Sequence, residues 1–67
     1  MSNLKEIRTK RNLKQREVAE ALGITTSYYG IIEIGTRKPS LSLALKMARY
    51  FELSIEEIFK RDSKKNL

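Results

Sequence analysis

Residues 15–25 read Gln15-Arg16-Glu17-Val18-Ala19-Glu20-Ala21-Leu22-Gly23-Ile24-Thr25, and the chain continues Thr26-Ser27-Tyr28-Tyr29-Gly30-Ile31-Ile32-Glu33-Ile34-Gly35. Val18, Ala19 and Leu22 follow the i, i+1, i+4 stripe of a short amphipathic helix. Gly23 ends that helix, because glycine takes a positive φ at little steric cost. Thr25 then stands where the cap of a following helix belongs. In that helix Tyr29 and Ile32 lie three apart on one face. Ala19 is small where two helices so closely joined must cross, and Ile24 plugs the turn between them. Two short helices linked by a few residues around a glycine can hold the second helix as a rigid ridge. Thr26 onward is that ridge.

Working outward, a first helix from Asn3 to about Arg11 has Asn3 as its cap and Leu4, Ile7 and Arg8 on one face. Asn12 accepts the left-handed turn that ends it, and Leu13 anchors the connection. Beyond the ridge, Gly35 is a stop and Thr36-Arg37-Lys38-Pro39 is a basic loop. Ser40 caps a helix from Leu41 to Phe51 whose stripe is Leu41, Ala44, Leu45, Ala48 and Phe51. Ser54 followed by Glu57 is a capping-box pattern. It opens a last helix that runs to about Lys60 and buries Ile55, Ile58 and Phe59. No strand-like alternation occurs. The pattern predicts an all-α fold of five short helices, compact, in one domain over residues 1–60 with a polar tail over 61–67.

The chain has 67 residues, 14 Lys+Arg and 8 Asp+Glu, giving a net charge of +6, with no Cys and no His. Too little chain is present to wall in a large catalytic cleft. The absence of Cys and His removes disulfides, the usual metal ligands and the commonest general base, so neither enzyme, metal site nor cofactor is expected. No apolar run approaches the roughly 18 residues of a membrane span. Met1 to Glu6 lacks the apolar stretch of a secretion signal, so a cytoplasmic protein with no membrane partner is expected. With no room for a sensing domain, no small-molecule ligand is expected either. A domain this small needs very efficient packing or a partner, which makes a homodimer the physical expectation. Charge is uneven: Lys5 to Arg16 holds six cations and one acid, and Glu52 to Glu57 holds three acids and no cation. A stiff ridge on such a basic domain suits a major groove about 12 Å wide.

The stretch Gln15 to Thr25 resembles the helix-turn-helix of the lambda-repressor and Cro-like regulators, the Xre family. The similarity continues through Ile32-Glu33-Ile34-Gly35-Thr36-Arg37-Lys38-Pro39-Ser40 and ends with Phe51-Glu52-Leu53-Ser54-Ile55-Glu56-Glu57-Ile58-Phe59, covering nearly the whole chain. It implies a five-helix lambda-repressor-like domain that binds double-stranded DNA, usually as a dimer on a palindromic operator. By the same resemblance, Gln15 is a phosphate contact and a brace for the reading helix. Thr26, Ser27 and Ile31 match base-facing positions. Ile31 departs from the polar residue often found there, and is either a reader of a thymine methyl or a surface hydrophobe. Arg8 and Glu33 match an ion pair that serves the fold.

The remaining assignments come mostly from the residues themselves. Tyr28 and Tyr29 differ by one 100° helical step, so both cannot face inward; the resemblance puts Tyr29 at a position the family fills with a core aliphatic, which leaves Tyr28 outward with its hydroxyl free for a phosphate. Thr36, Arg37 and Lys38 follow the reading helix and can neutralise flanking phosphates. Gly30 sits inside a helix at a cost of about 1 kcal/mol relative to alanine. That implies close approach by DNA or by a neighbouring helix. Leu43, Tyr50, Ile55 and Phe59 exceed one helix's core needs and are candidates for a dimer interface. The reading that results is a sequence-specific regulator, a repressor of the kind found in bacteria and phages. The alternative is a protein-interaction module such as an antitoxin or anti-repressor of the same fold.

Overall fold

The computed structural model describes residues 3–59. They form α1 (Leu4–Lys10), α2 (Gln15–Leu22), α3 (Thr26–Ile34), α4 (Leu41–Phe51) and α5 (Ile55–Ile58), with no strand among the described residues. The polar tail expected over 61–67, and the expected end of the last helix at Lys60, lie outside them. The helix boundaries follow the local chemistry. Gly23 and Gly35 close α2 and α3 in the left-handed region, at φ 77° and 94°. Asn12 makes the same turn after α1 at φ 57°. Thr25 Oγ1 accepts from the Tyr28 N–H at 3.1 Å, and Ser40 Oγ accepts from the Leu43 N–H at 3.1 Å, each satisfying an amide that a helix start leaves open. At α5 the box is reciprocal: Ser54 Oγ accepts from the Glu57 N–H, and Glu57 Oε1 accepts from the Ser54 N–H.

All five helices contribute to one core of Leu4, Val18, Ala19, Leu22, Tyr29, Ile32, Leu43, Met47, Phe51 and Ile58. The face of α2 and the inward aim of Tyr29 are as the spacing predicts. The face of α4 is not. Leu43, Ala44, Met47 and Phe51 point inward, while Leu41 and Leu45 are exposed. The expected stripe is therefore rotated by most of one ~100° residue step. Leu41/Leu45 and Leu43/Met47 have the same i, i+4 spacing, so periodicity alone does not choose between them. Lys46 helps decide it: its ammonium donates to the Leu22 carbonyl at 3.1 Å, where the C-terminal end of α2 favours a cation. One consequence is that Leu43, expected at a subunit interface, is only 8% exposed and lies in the core. It has little surface left for a partner.

Asn3 also behaves differently from expectation. It occupies the cap position of α1 but makes no side-chain cap hydrogen bond. Instead its backbone N–H donates to the Ile58 carbonyl and its Nδ2 to the Glu57 carbonyl, both at 2.8 Å. Carbonyls that the end of α5 cannot satisfy internally are thus taken up by the start of α1. The two ends of the domain close on each other. In α5 Ile58 is buried and Ile55 half-buried, and Phe59, just past its end, is half-buried.

Candidate nucleic-acid interface

The mount of α3 is built around one carboxylate. Glu33, on the inward side near the end of α3, accepts from Arg8 Nε at 2.7 Å and Arg8 Nη2 at 3.2 Å, and from Gln15 Nε2 at 2.9 Å. Arg8 spends a third donor on the Leu13 carbonyl at 2.8 Å. Three helices are thereby tied at a single side chain: α1 through Arg8, α2 through Gln15 and α3 through Glu33. The pair is well screened from water, with the Arg8 and Glu33 side chains 11% and 4% exposed. Burial opposes the Glu33 charge, but the hydrogen bonds from Arg8 and Gln15 outweigh it and hold the carboxyl below its ordinary 4.5. Tyr29 packs alongside. Burial first, and the Glu33 carboxylate second, push its hydroxyl well above the ordinary 10, so it stays protonated.

With its inner side fixed in this way, α3 presents Thr26, Ser27, Ile31 and Ile34 outward, all exposed. Thr36, Arg37 and Lys38 are exposed on the loop directly after it. Among the described residues neither Arg37 nor Lys38 has an ion-pair or side-chain hydrogen-bond partner, so both charges are available. Arg16 is engaged with Glu20 at 3.6 Å and Lys10 with Glu6 at 3.8 Å, exposed pairs of the kind worth little. Tyr28 departs from expectation: it is half-buried and packs against the core rather than standing clear. Its position one helical step from Tyr29 leaves it on the flank of the buried face, where a large ring covers the core's rim. Gln15 is half-buried, and its amide is committed on one side to Glu33.

Of the proposed interface residues, Tyr50 remains exposed and stacks edge-to-face on Phe51, with ring centroids 4.9 Å apart. Two features were not foreseen. Arg11 is tied to α4: Nη1 donates to the Phe51 carbonyl at 2.9 Å, and the guanidinium lies over the Phe51 ring at 5.3 Å. It serves as the cation at the end of α4, where Glu52 turns left-handed at φ 58° without a glycine. Ile34 is the other. At 71% exposure it is among the most exposed large apolar residues described, yet the i, i+3 reading of α3 did not single it out. No described helix is long and apolar enough to cross a membrane.

The helix-turn-helix family model matches residues 4–58. An uncharacterised HTH-type transcriptional regulator of Archaeoglobus fulgidus is 41% identical over 58 residues, covering 87% of this chain and 82% of that protein. One from Methanocaldococcus jannaschii is 41% identical over 58 residues, covering 87% and 88%. The cryptic phage CTXphi transcriptional repressor RstR of Vibrio cholerae is 33% identical over 66 residues, covering 98% of this chain and 59% of that protein. The matched span holds the braced pair of α2 and α3 together with the helices that carry it, and the chain belongs to the Xre-type helix-turn-helix family: it is a DNA-binding transcriptional regulator and not an enzyme.

Proposed function

We propose that the protein is a cytoplasmic homodimeric repressor that binds a palindromic operator with α3 of each subunit in the major groove. The observation that carries this reading is the rigid mount of α3, with Thr26 and Ser27 exposed at its start and the exposed cations Arg37 and Lys38, without a partner among the described residues, just beyond its end. Thr26 and Ser27 hydroxyls donate to or accept from base edges, and Ile31 lies against the groove floor. Gln15, Thr36, Arg37 and Lys38 hold flanking phosphates and set the register. Repression is by occlusion. Two α3 helices enter successive major grooves on one face of the duplex, about 34 Å apart. The likeness to a phage repressor supports the repressor role. Tyr50, Ile55 and Phe59 supply apolar surface for the subunit contact.

Selection of bound sequences from random DNA with the purified protein tests this. The expected result is an inverted repeat with half-sites about 10 base pairs apart, centre to centre. Equal affinity for the selected sequence and its scramble overturns the reading.

A further inference from the structure

On α3, Ser27, Ile31 and Ile34 are spaced i, i+4, i+7 and line up along one edge. That edge faces away from Tyr29, Ile32 and Glu33, which the helix buries. Ile31 is 40% exposed and Ile34 71%. Two of the three positions on the ridge therefore offer water nothing but methyl and methylene groups, in a small domain that gains most by burying such groups.

Charge points to what covers them. Between Glu20 and Glu52 the only acid is Glu33, and it is paired with Arg8 beneath the helix. The same span carries Arg37 and Lys38 on the loop after α3, with no partner among the described residues. An apolar ridge rimmed by cations and cleared of acids fits a polyanion that has an apolar feature at its recognised edge. In the major groove that feature is the thymine C5-methyl group. Gly30 borders the ridge. A Cβ there would meet only the Gln15 amide, at 3.8 Å, which is ordinary contact, so packing inside the chain does not require glycine.

Resting on the DNA-binding reading above, we propose that Ile31 and Ile34 read thymine C5-methyl groups, so that each operator half-site presents thymines to the α3 ridge. The rise from Ile31 to Ile34 is ~4.5 Å. Against a base-pair rise of about 3.4 Å, the two side chains address neighbouring positions.

The test starts from an operator selected with the wild-type protein. Each thymine is then replaced singly by uracil, which removes the C5-methyl and leaves base pairing unchanged. Because the change is made in the DNA, the fold of the protein is untouched. Affinity is expected to fall about fourfold for each methyl lost, or ~0.8 kcal/mol, at one or two neighbouring thymines per half-site. In Ile31→Ala and Ile34→Ala, with helicity checked by circular dichroism, the uracil penalty disappears at the position each side chain addresses. If the protein prefers its operator yet is indifferent to uracil throughout both half-sites, the methyl reading is wrong and the DNA-binding reading stands. If no sequence is selected at all, both fail. If the alanine variants change the sedimentation mass and leave the uracil penalty intact, the ridge is a contact between copies of the chain and the proposal is overturned.

Discussion

Replacing Glu33 by Gln keeps the side-chain volume, so no cavity is created, and changes only charge and hydrogen-bonding character. The carboxylate accepts two hydrogen bonds from Arg8 and one from Gln15. An amide offers one oxygen in place of two and turns an N–H toward one of those donors. Arg8 keeps its bond to the Leu13 carbonyl but is left as a charge 11% exposed with no counter-ion. Removing one member of a buried pair costs 3–5 kcal/mol, and the residual exposure of Arg8 puts this case at about 3 kcal/mol. The whole stability of a 67-residue domain, at 0.05–0.15 kcal/mol per residue, is roughly 3–10 kcal/mol. The variant is therefore expected to keep roughly 0–7 kcal/mol, a large fraction of the total being lost. In a urea titration followed by far-ultraviolet circular dichroism, with m about 1 kcal/mol per molar, the midpoint falls by about 3 M and the slope is unchanged. Arg8→Met combined with Glu33→Leu removes both charges and should recover most of the loss. A shift below about 1 M, or a double variant no more stable than Glu33→Gln, would refute the central role given to this pair.

Acid sensitivity follows from the same carboxylate. Glu33 is held below its unfolded value, so the stability it contributes is present above about pH 4.5 and is lost as pH falls through the lower folded value. The wild-type urea midpoint should drop from pH 7 to pH 3 by more than that of Glu33→Gln, and equal drops would exclude the linkage. Gly23→Ala and Gly30→Ala should have opposite signs in thermal melts. The first forces alanine to φ 77° with nothing nearer than Lys46 Nζ at 3.9 Å, a backbone strain of about 1–2 kcal/mol. The second adds a methyl where only the Gln15 amide stands at 3.8 Å, and gains about 1 kcal/mol of helix propensity. Lys38→Ala should weaken binding to all duplexes alike and flatten the salt dependence by about one unit of slope. Ser27→Ala should instead narrow the gap between operator and scrambled DNA, and a parallel loss on both would remove Ser27 from base reading.

The parts of the fold that were legible in the sequence are those where one residue type has one physical use. Gly23, Gly35, Thr25, Ser40 and the Ser54–Glu57 pair each answer a backbone need at a helix end, and all five do so in the structure. The rotation of α4 was not legible, because two leucine-containing stripes satisfy the helical period equally. Tertiary contacts separate them, among them that of Lys46 with Leu22, 24 residues earlier. Arg11 and Asn3 were opaque for the same reason: each spends its donors on carbonyls 40 or more residues away, at the ends of helices it does not belong to. In the candidate interface the outward run of α3 could be placed from the turn that precedes it. The half-burial of Tyr28 could not, since a 100° step puts a residue on a flank and only the size of the ring decides whether it lies down or stands clear.

The placement of Glu33 reconciles two demands that oppose each other. A domain with no cross-link has to fix the angle between α2 and α3 by side chains alone, and a buried carboxylate does this well because it accepts several directed bonds at once. A surface offered to phosphates, on the other hand, should carry no exposed acid. Setting the only acid between Glu20 and Glu52 on the inward side of α3, and neutralising it from α1, meets both. Arg8 is then a stability residue whose loss should also weaken DNA binding, with no contact to the duplex. The sign of this coupling is fixed. Operator DNA binds only the folded form, so saturating DNA should restore the melting temperature of a weakened Arg8 variant as it stabilises the wild type. A variant at Lys38 would show the converse, an unchanged melt in the absence of DNA and a smaller upward shift in its presence.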